Sequence, residues 1–109
     1  MIVRHTLVIG GTGMLRQASI QLAGRSQRLT SVSRTRRSLA ALDAALPAGS
    51  VQHDMLPLDW SAPDNFLDGI ERHLAQTGPP ELVLAWIHQD YLALRLAARL
   101  SQNGYSLRF

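Results

Sequence analysis

The sequence predicts an α/β domain, a parallel sheet with helices on both faces. Two observations lead there. Short apolar runs alternate along the chain with segments of helical spacing, joined by short connections. The first of those runs, Leu7 to Ile9, stops in three glycines within four residues, Gly10, Gly11 and Gly13, and a helical segment follows at once. Strand, tight turn and helix in that order form a crossover unit, and such units build parallel sheets.

The first helix is expected from about Gly13 to Gly24, with Leu15, Ala18, Ser19 and Leu22 on the face that meets the sheet. A second strand follows from about Arg28 to Ser33, and a second helix from Arg36 to Leu46 through Leu39, Leu42 and Leu46, stopped by Pro47 and Gly49. Val51 to Leu58 is a weaker extended run interrupted by His53 and Asp54, which suits a sheet edge. Ser61 reads as the N-cap of the third helix, with Pro63 in its first turn, Asp64 in a capping-box position and Phe66, Leu67, Ile70 and Leu74 as its buried stripe. Gly78-Pro79-Pro80 ends that helix. The unbroken apolar run from Leu82 to Ile87 predicts a strand, Glu81 to Ile87, buried on both faces in the middle of the sheet. A last helix from about Asp90 to Gln102 and a final extended piece, Tyr105 to Phe109, complete the pattern.

A chain of 109 residues, 46% of them hydrophobic, is enough for one modest core, so residues 1–109 are expected to form a single domain. No apolar run approaches the ~20 residues of a membrane span, and the amino terminus has a strand pattern in place of a signal peptide. The absence of cysteine excludes disulfide and thiolate chemistry and fits a cytoplasmic protein. All eleven basic residues are arginines, which explains a pI of 10.6 beside a net charge of only +3.

The glycine turn carries the first functional signal. A backbone without Cβ atoms can approach a ligand closely, and the unpaired N–H groups of the helix behind it, with the helix dipole, favour an anion such as a pyrophosphate. In this context the sequence resembles the nucleotide-binding half of the short-chain dehydrogenase/reductase family, whose first strand runs into a Gly-x-x-Gly-x-x-Gly type of turn. Gly10 and Gly13 match the first two glycines. The third, which lets the helix pack closely on the strand, is Arg16 here, a departure that bears on local packing and leaves a cation near the phosphates.

The resemblance covers the front part of the family's fold. It implies a Rossmann-like sheet of about five strands in the order 3-2-1-4-5, with the ligand crevice at the carboxyl ends of the first and fourth strands. It also implies a dinucleotide cofactor held by Gly10, Gly11, Thr12, Gly13, Met14 and Leu15. At the end of the second strand such folds use an acid to bind free ribose hydroxyls, or arginine to pair with a 2′-phosphate. Here the residues are Ser33, Arg34, Thr35, Arg36 and Arg37, with no acid within reach. NADP is therefore expected over NAD, with Arg34 as the main contact and Thr35 or Arg36 assisting. Asp59 stands where the family carries an aspartate facing the adenine amino group, or is a loop residue ahead of the Ser61 cap. Trp86 lies after the fourth strand, where the family's Asn-Asn-Ala-Gly-like turn is absent, and reads either as core or as a shelf for the cofactor.

Carbonyl reduction in the resembling family uses a tyrosine, a lysine four residues later and a serine, all beyond the fifth strand. This chain contains no lysine. Tyr91 and Arg95 share the spacing but sit on the helix after the fourth strand, where two solvent-side residues are the simpler account. His88, just past the fourth strand, is the remaining candidate for proton transfer, against a plain helix-start residue hydrogen-bonded to backbone. His5, His53 and His73 show no metal-ligand spacing, and no Ser-His-Asp arrangement can be read from the sequence.

The expected activity is hydride transfer to or from a small carbonyl or alcohol substrate where a complete site is assembled. The alternative is a dinucleotide-binding sensor or regulatory module that needs no tyrosine or lysine. Nucleic-acid binding is disfavoured, because the arginines are spread along the chain and aromatic residues are few. The last helix is apolar on one face through Leu92, Ala93, Leu96, Ala97 and Leu100, and Leu94 and Ala98 widen that face beyond an ordinary surface stripe. A homo-oligomer is expected, joined through helix 90–102 or through the 105–109 edge strand.

Overall fold

The structure, a computed structural model, describes residues 2–10, 15–47, 49, 51–85 and 92–102. Its elements alternate as β1 (Val3–Ile9), α1 (Arg16–Ala23), β2 (Ser26–Ser33), α2 (Arg36–Ala45), β3 (Gln52–Pro57), α3 (Pro63–Thr77), β4 (Leu82–Ala85) and α4 (Leu92–Gln102). The four described strands are parallel, in the order β3-β2-β1-β4. This is the first part of the expected 3-2-1-4-5 sheet; the expected fifth strand, 105–109, lies outside the described residues.

β1 is the strand around which the rest is placed. Its residues His5 to Ile9 are all buried, because alternate side chains meet helices on opposite faces of the sheet. Leu7 and Ile9, with Val32 of β2 and Val83 of β4, pack against α3 and α4. Val8 and Leu29 pack on the other face with Ala23, Leu22 and Leu15 from the α1 segment. On α3 the stripe read from spacing, Phe66, Leu67, Ile70 and Leu74, is fully buried. Each such side chain contributes roughly 1.5–3 kcal/mol of transfer free energy.

Two sequence expectations are corrected. Ser61 is not the N-cap of α3: the cap is Ala62, without a side-chain hydrogen bond, and the helix opens with Pro63 at its first position. The Ser61 N–H is instead taken by the Asp59 carboxylate at 2.9 Å, so a turn two residues earlier competes successfully for the segment. β4 is also less enclosed than its apolar run predicts. Val83 is buried, but Leu82, Leu84 and Ala85 are half-buried. Among the described strands β4 pairs with β1 alone, and its outer side borders an open groove with Ala18 and Leu22 of α1.

Among the described strands β3 lies at an edge of the sheet, as its interrupted pattern suggests. α2 begins as predicted at Arg36, capped by Thr35, whose hydroxyl oxygen accepts from the Ser38 N–H at 3.2 Å. Gly78 ends α3 with φ at +96° and returns its N–H to the Leu74 carbonyl at 2.8 Å, a conformation that favours glycine.

Candidate cofactor crevice

The order of the strands reverses between β1 and β4. From β1 the chain moves outward to β2 and β3, then crosses back to the opposite side of β1. Ile9 and Ala85 are register partners at the carboxyl ends of these two strands. In open parallel sheets this is where a crevice forms.

Gly10 opens the turn out of β1 with φ at +84°, and its N–H donates to the Val32 carbonyl at 2.9 Å. The chain is thereby tied to β2 while bending away from the strand, in a region an L-residue with a Cβ enters only with strain. Gly11, Thr12, Gly13 and Met14 lie outside the described residues. Leu15 caps α1 with no side-chain hydrogen bond, and no acidic residue stands in the first turn of that helix. Its leading N–H groups are therefore without a side-chain acceptor in the described structure, the electrostatic condition for holding an anion. Arg16, in place of the family's third glycine, is the exposed first residue of α1.

The ends of β2 and β3 are held side by side, since Leu58 donates its N–H to the Ser33 carbonyl at 2.9 Å. That bond brings the Ser33 to Arg36 segment against Asp59 and Trp60. Ser33 is buried at the strand end, whereas Arg34, Thr35 and Arg36 are exposed. The Arg34 guanidinium carbon lies over the Trp60 ring, 5.5 Å from its centroid. Trp60 in turn meets Phe66 edge-on at 6.4 Å with the ring planes at 90°. Thr35 uses its hydroxyl in the α2 cap, donating also to the Ser38 hydroxyl at 2.8 Å. The Asp59 carboxyl is held below its ordinary range chiefly by the Ser61 backbone N–H, then by the Ser61 side chain, with the Arg34 charge acting in the same direction. Trp86, His88 and Tyr91 lie outside the described residues.

Arg34 and Asp59, twenty-five positions apart in the chain, thus share one rim with Trp60, a residue that the sequence reading passed over. Its only sequence signal is an aromatic side chain directly after the strand-end aspartate.

Two other polar groupings come together elsewhere. On the face covered by α2, His53 Nε2 is 2.8 Å from Ser31 Oγ and His53 Nδ1 is 2.8 Å from Asp43 Oδ1, the connectivity of a nucleophile, base and orienting acid. Accessibility runs the wrong way for acyl transfer: Ser31 is 0% exposed, while the Asp43 side chain is 49% exposed. The grouping ties α2 and β3 to β2. On the opposite face His5, Thr30, His73, Asp54 and Arg28 form a network at the amino ends of the strands, away from the crevice. No group of three or more potential metal ligands is found among the described residues. No helix among them is long and apolar enough to cross a membrane.

No family model and no curated relative matches the sequence. Solved structures do match. A short-chain type dehydrogenase/reductase from Mycobacterium ulcerans is similar over 75% of this chain and 31% of its own, with a TM-score of 0.63 at 23% identity. Another from Mycobacterium marinum is similar over 95% of this chain and 53% of its own, with a TM-score of 0.74 at 11% identity. The fold is that of the short-chain dehydrogenase/reductases. An NAD+-bound xylitol dehydrogenase superposes with a TM-score of 0.64 at 16% identity, over 73% of this chain and 31% of its own. The chain therefore spans about a third of the length of the first of these dehydrogenase/reductases and about half of the second.

Proposed function

We propose that the chain is the NADP(H)-binding part of a short-chain dehydrogenase/reductase-like oxidoreductase. The observation that carries this reading is the positive-φ glycine, Gly10, at the reversal point of the sheet, followed by a helix whose first turn has neither a side-chain cap nor an acid. The residues fit a dinucleotide: among the described residues the first turn of α1 has no side-chain cap and no acid, and the end of β2 presents Arg34 and Arg36 with no acidic side chain between Ser33 and Arg37. Arg34 supplies the preference for a 2′-phosphate, Asp59 borders the adenine side, and the described part of the Gly10 to Leu15 turn holds the diphosphate end. The bound coenzyme would supply hydride for the reduction of a small carbonyl compound, or accept it from an alcohol.

A second reading is favoured by one observation, the complete lack of lysine in the chain. Without a lysine beside a tyrosine, the chain binds the coenzyme as a sensor or regulatory module, or contributes to a site whose proton donor lies outside it. We also place a self-association surface on α4, where Leu92, Leu96 and Leu100 are buried but Leu94 is 67% exposed.

The experiment is a titration of the protein with NADPH and NADH, repeated for Arg34→Ala and Gly10→Val. The unsubstituted chain is expected to bind NADPH at least about tenfold more tightly, the worth of one charge-assisted contact to phosphate. Arg34→Ala should equalise the two, and Gly10→Val, with a β-branched residue at φ +84°, should weaken both. Failure of both coenzymes to bind refutes the dinucleotide reading, and equal binding refutes the arginine assignment. NADPH turnover with a panel of carbonyl compounds separates the oxidoreductase from the sensor.

A further inference from the structure

We infer that Trp60 is a positioning residue for coenzyme choice, holding the Arg34 guanidinium at the crevice rim ready for a 2′-phosphate; the inference rests on the NADP reading above. Arg34 is exposed at the first position beyond β2, and a long exposed arginine samples many rotamers, so fixing it on binding opposes affinity. The fold reduces that freedom beforehand. The guanidinium carbon sits 5.5 Å from the Trp60 ring centroid, within the range of a cation–π contact.

The indole is itself held from behind. Phe66, fully buried on α3, meets it edge-on at 6.4 Å, and the Leu58 N–H to Ser33 carbonyl bond fixes the segment on which Trp60 stands relative to Arg34. The chain of support runs from the core through Phe66 to Trp60 and ends on the arginine.

The kind of contact matters. A carboxylate partner would occupy guanidinium N–H donors and compete with phosphate for the same charge. An aromatic face attracts the cation through its quadrupole and occupies no N–H donor. Among the described residues no carboxylate is within ion-pair distance of Arg34; the neighbouring Asp59 is engaged by the Ser61 N–H at 2.9 Å. Arg34 is thus oriented by the protein while, among the described residues, no acceptor takes its donors, which can serve an incoming anion.

The test measures dissociation constants for NADPH and NADH in the unsubstituted protein, Trp60→Leu, Trp60→Phe, Arg34→Ala and the Arg34→Ala/Trp60→Leu pair. Trp60→Leu is expected to weaken NADPH by about two- to fivefold, the range of an exposed cation–π contact, and to leave NADH unchanged. Trp60→Phe should restore most of the difference, and Trp60→Leu should add nothing to Arg34→Ala. Equal weakening of both coenzymes by Trp60→Leu would assign Trp60 a merely structural role and overturn the inference. A preference for NADPH untouched by Trp60→Leu would overturn it while leaving the coenzyme reading intact. No preference in the unsubstituted protein would overturn the coenzyme reading itself. A measurement that needs no variant at Trp60 follows the Arg34 side-chain N–H resonance in the unsubstituted protein. It should start displaced by the indole ring current and respond to 2′,5′-ADP but not to 5′-ADP; a resonance without that initial displacement overturns the inference.

Discussion

Replacing Thr30 by valine removes one hydroxyl and keeps the shape of the side chain, so its effect isolates the polar network at the amino ends of the strands. Thr30 is fully buried, and its Oγ1 lies 2.7 Å from His5 Nε2, 3.2 Å from His73 Nε2 and 3.4 Å from Asp54 Oδ2. The proton positions follow from the acceptors. His5 Nδ1 faces the Gly78 carbonyl at 3.2 Å, so Nδ1 carries the hydrogen and Nε2 of the neutral ring accepts from the Thr30 O–H. Thr30 in turn accepts from His73, and Asp54 is held by Arg28 at 2.8 Å. Valine leaves His5 Nε2 buried without a donor, whereas His73 can turn to Asp54, 3.5 Å away. Stranding one buried acceptor costs about 1–3 kcal/mol, and the added methyl returns up to about 0.8 kcal/mol, so from the middle of the first range, about 2 kcal/mol, the net loss is about 1–2 kcal/mol. For a domain near this size that lowers Tm by about 4–16 °C. Urea denaturation should show a lower midpoint with an unchanged slope, and the His5→Phe/Thr30→Val pair should recover part of the loss, because both ends of the bond are then apolar. A Thr30→Val protein within about 0.5 kcal/mol of the parent, or a strictly additive pair, would refute the proposed donor arrangement.

Acid should weaken the same network. The His5 imidazole is lowered from its ordinary value near 6.5, first by burial and then by the Arg28 and His73 charges, against the pull of the Gly78 carbonyl and Asp54. A fold that prefers the neutral ring is fully stabilised above the unfolded pKa and loses that contribution as pH falls from about 6.5 toward the lower folded value. Denaturation midpoints between pH 7.5 and 5 should therefore fall, less steeply in a His5→Gln variant; a His5→Gln curve parallel to the parent would exclude His5 as the source. On α4, Leu94 is 67% exposed, and sedimentation at tens of micromolar should find self-association that Leu94→Glu reduces. A parent protein that sediments as a monomer would remove α4 as an interface.

The fold was legible where periodicity reports burial directly. The Phe66, Leu67, Ile70 and Leu74 stripe follows from helical spacing alone, and the interruption of β3 by His53 and Asp54 marks it as an edge. Caps were less legible, since Ser61 and Asp64 spell a capping box that Asp59 pre-empts by taking the Ser61 N–H. The polar groupings could not be read because they depend on strand register. Ser31 on β2 meets His53 on β3 only because Leu29 pairs with His53, and His5 reaches Thr30 only because His5 pairs with Arg28. Arg34 and Asp59 were singled out through the family resemblance, and the structure sets them at neighbouring strand ends. Trp60 was not, because its role comes from the Leu58 to Ser33 bond that closes the two strand ends together.

The same register separates polar groups that build the fold from those that can receive a ligand. In the His5 network and the Ser31, His53 and Asp43 grouping, the buried side chains answer one another, and no buried side-chain nitrogen or oxygen among the described residues lacks a partner. Such groups have no unmet hydrogen bond for a ligand to supply, so binding there would have to break one protein contact for each one made. At the carboxyl ends of the strands the relation is reversed. The first turn of α1 has no side-chain cap, and Arg34 is steered by an aromatic ring that takes none of its donors. An anion placed there adds hydrogen bonds without displacing any that the described protein makes. Histidines and a serine look more like chemistry in a sequence than an arginine does, yet among the described residues the donors without a side-chain acceptor are those of the first turn of α1 and of Arg34.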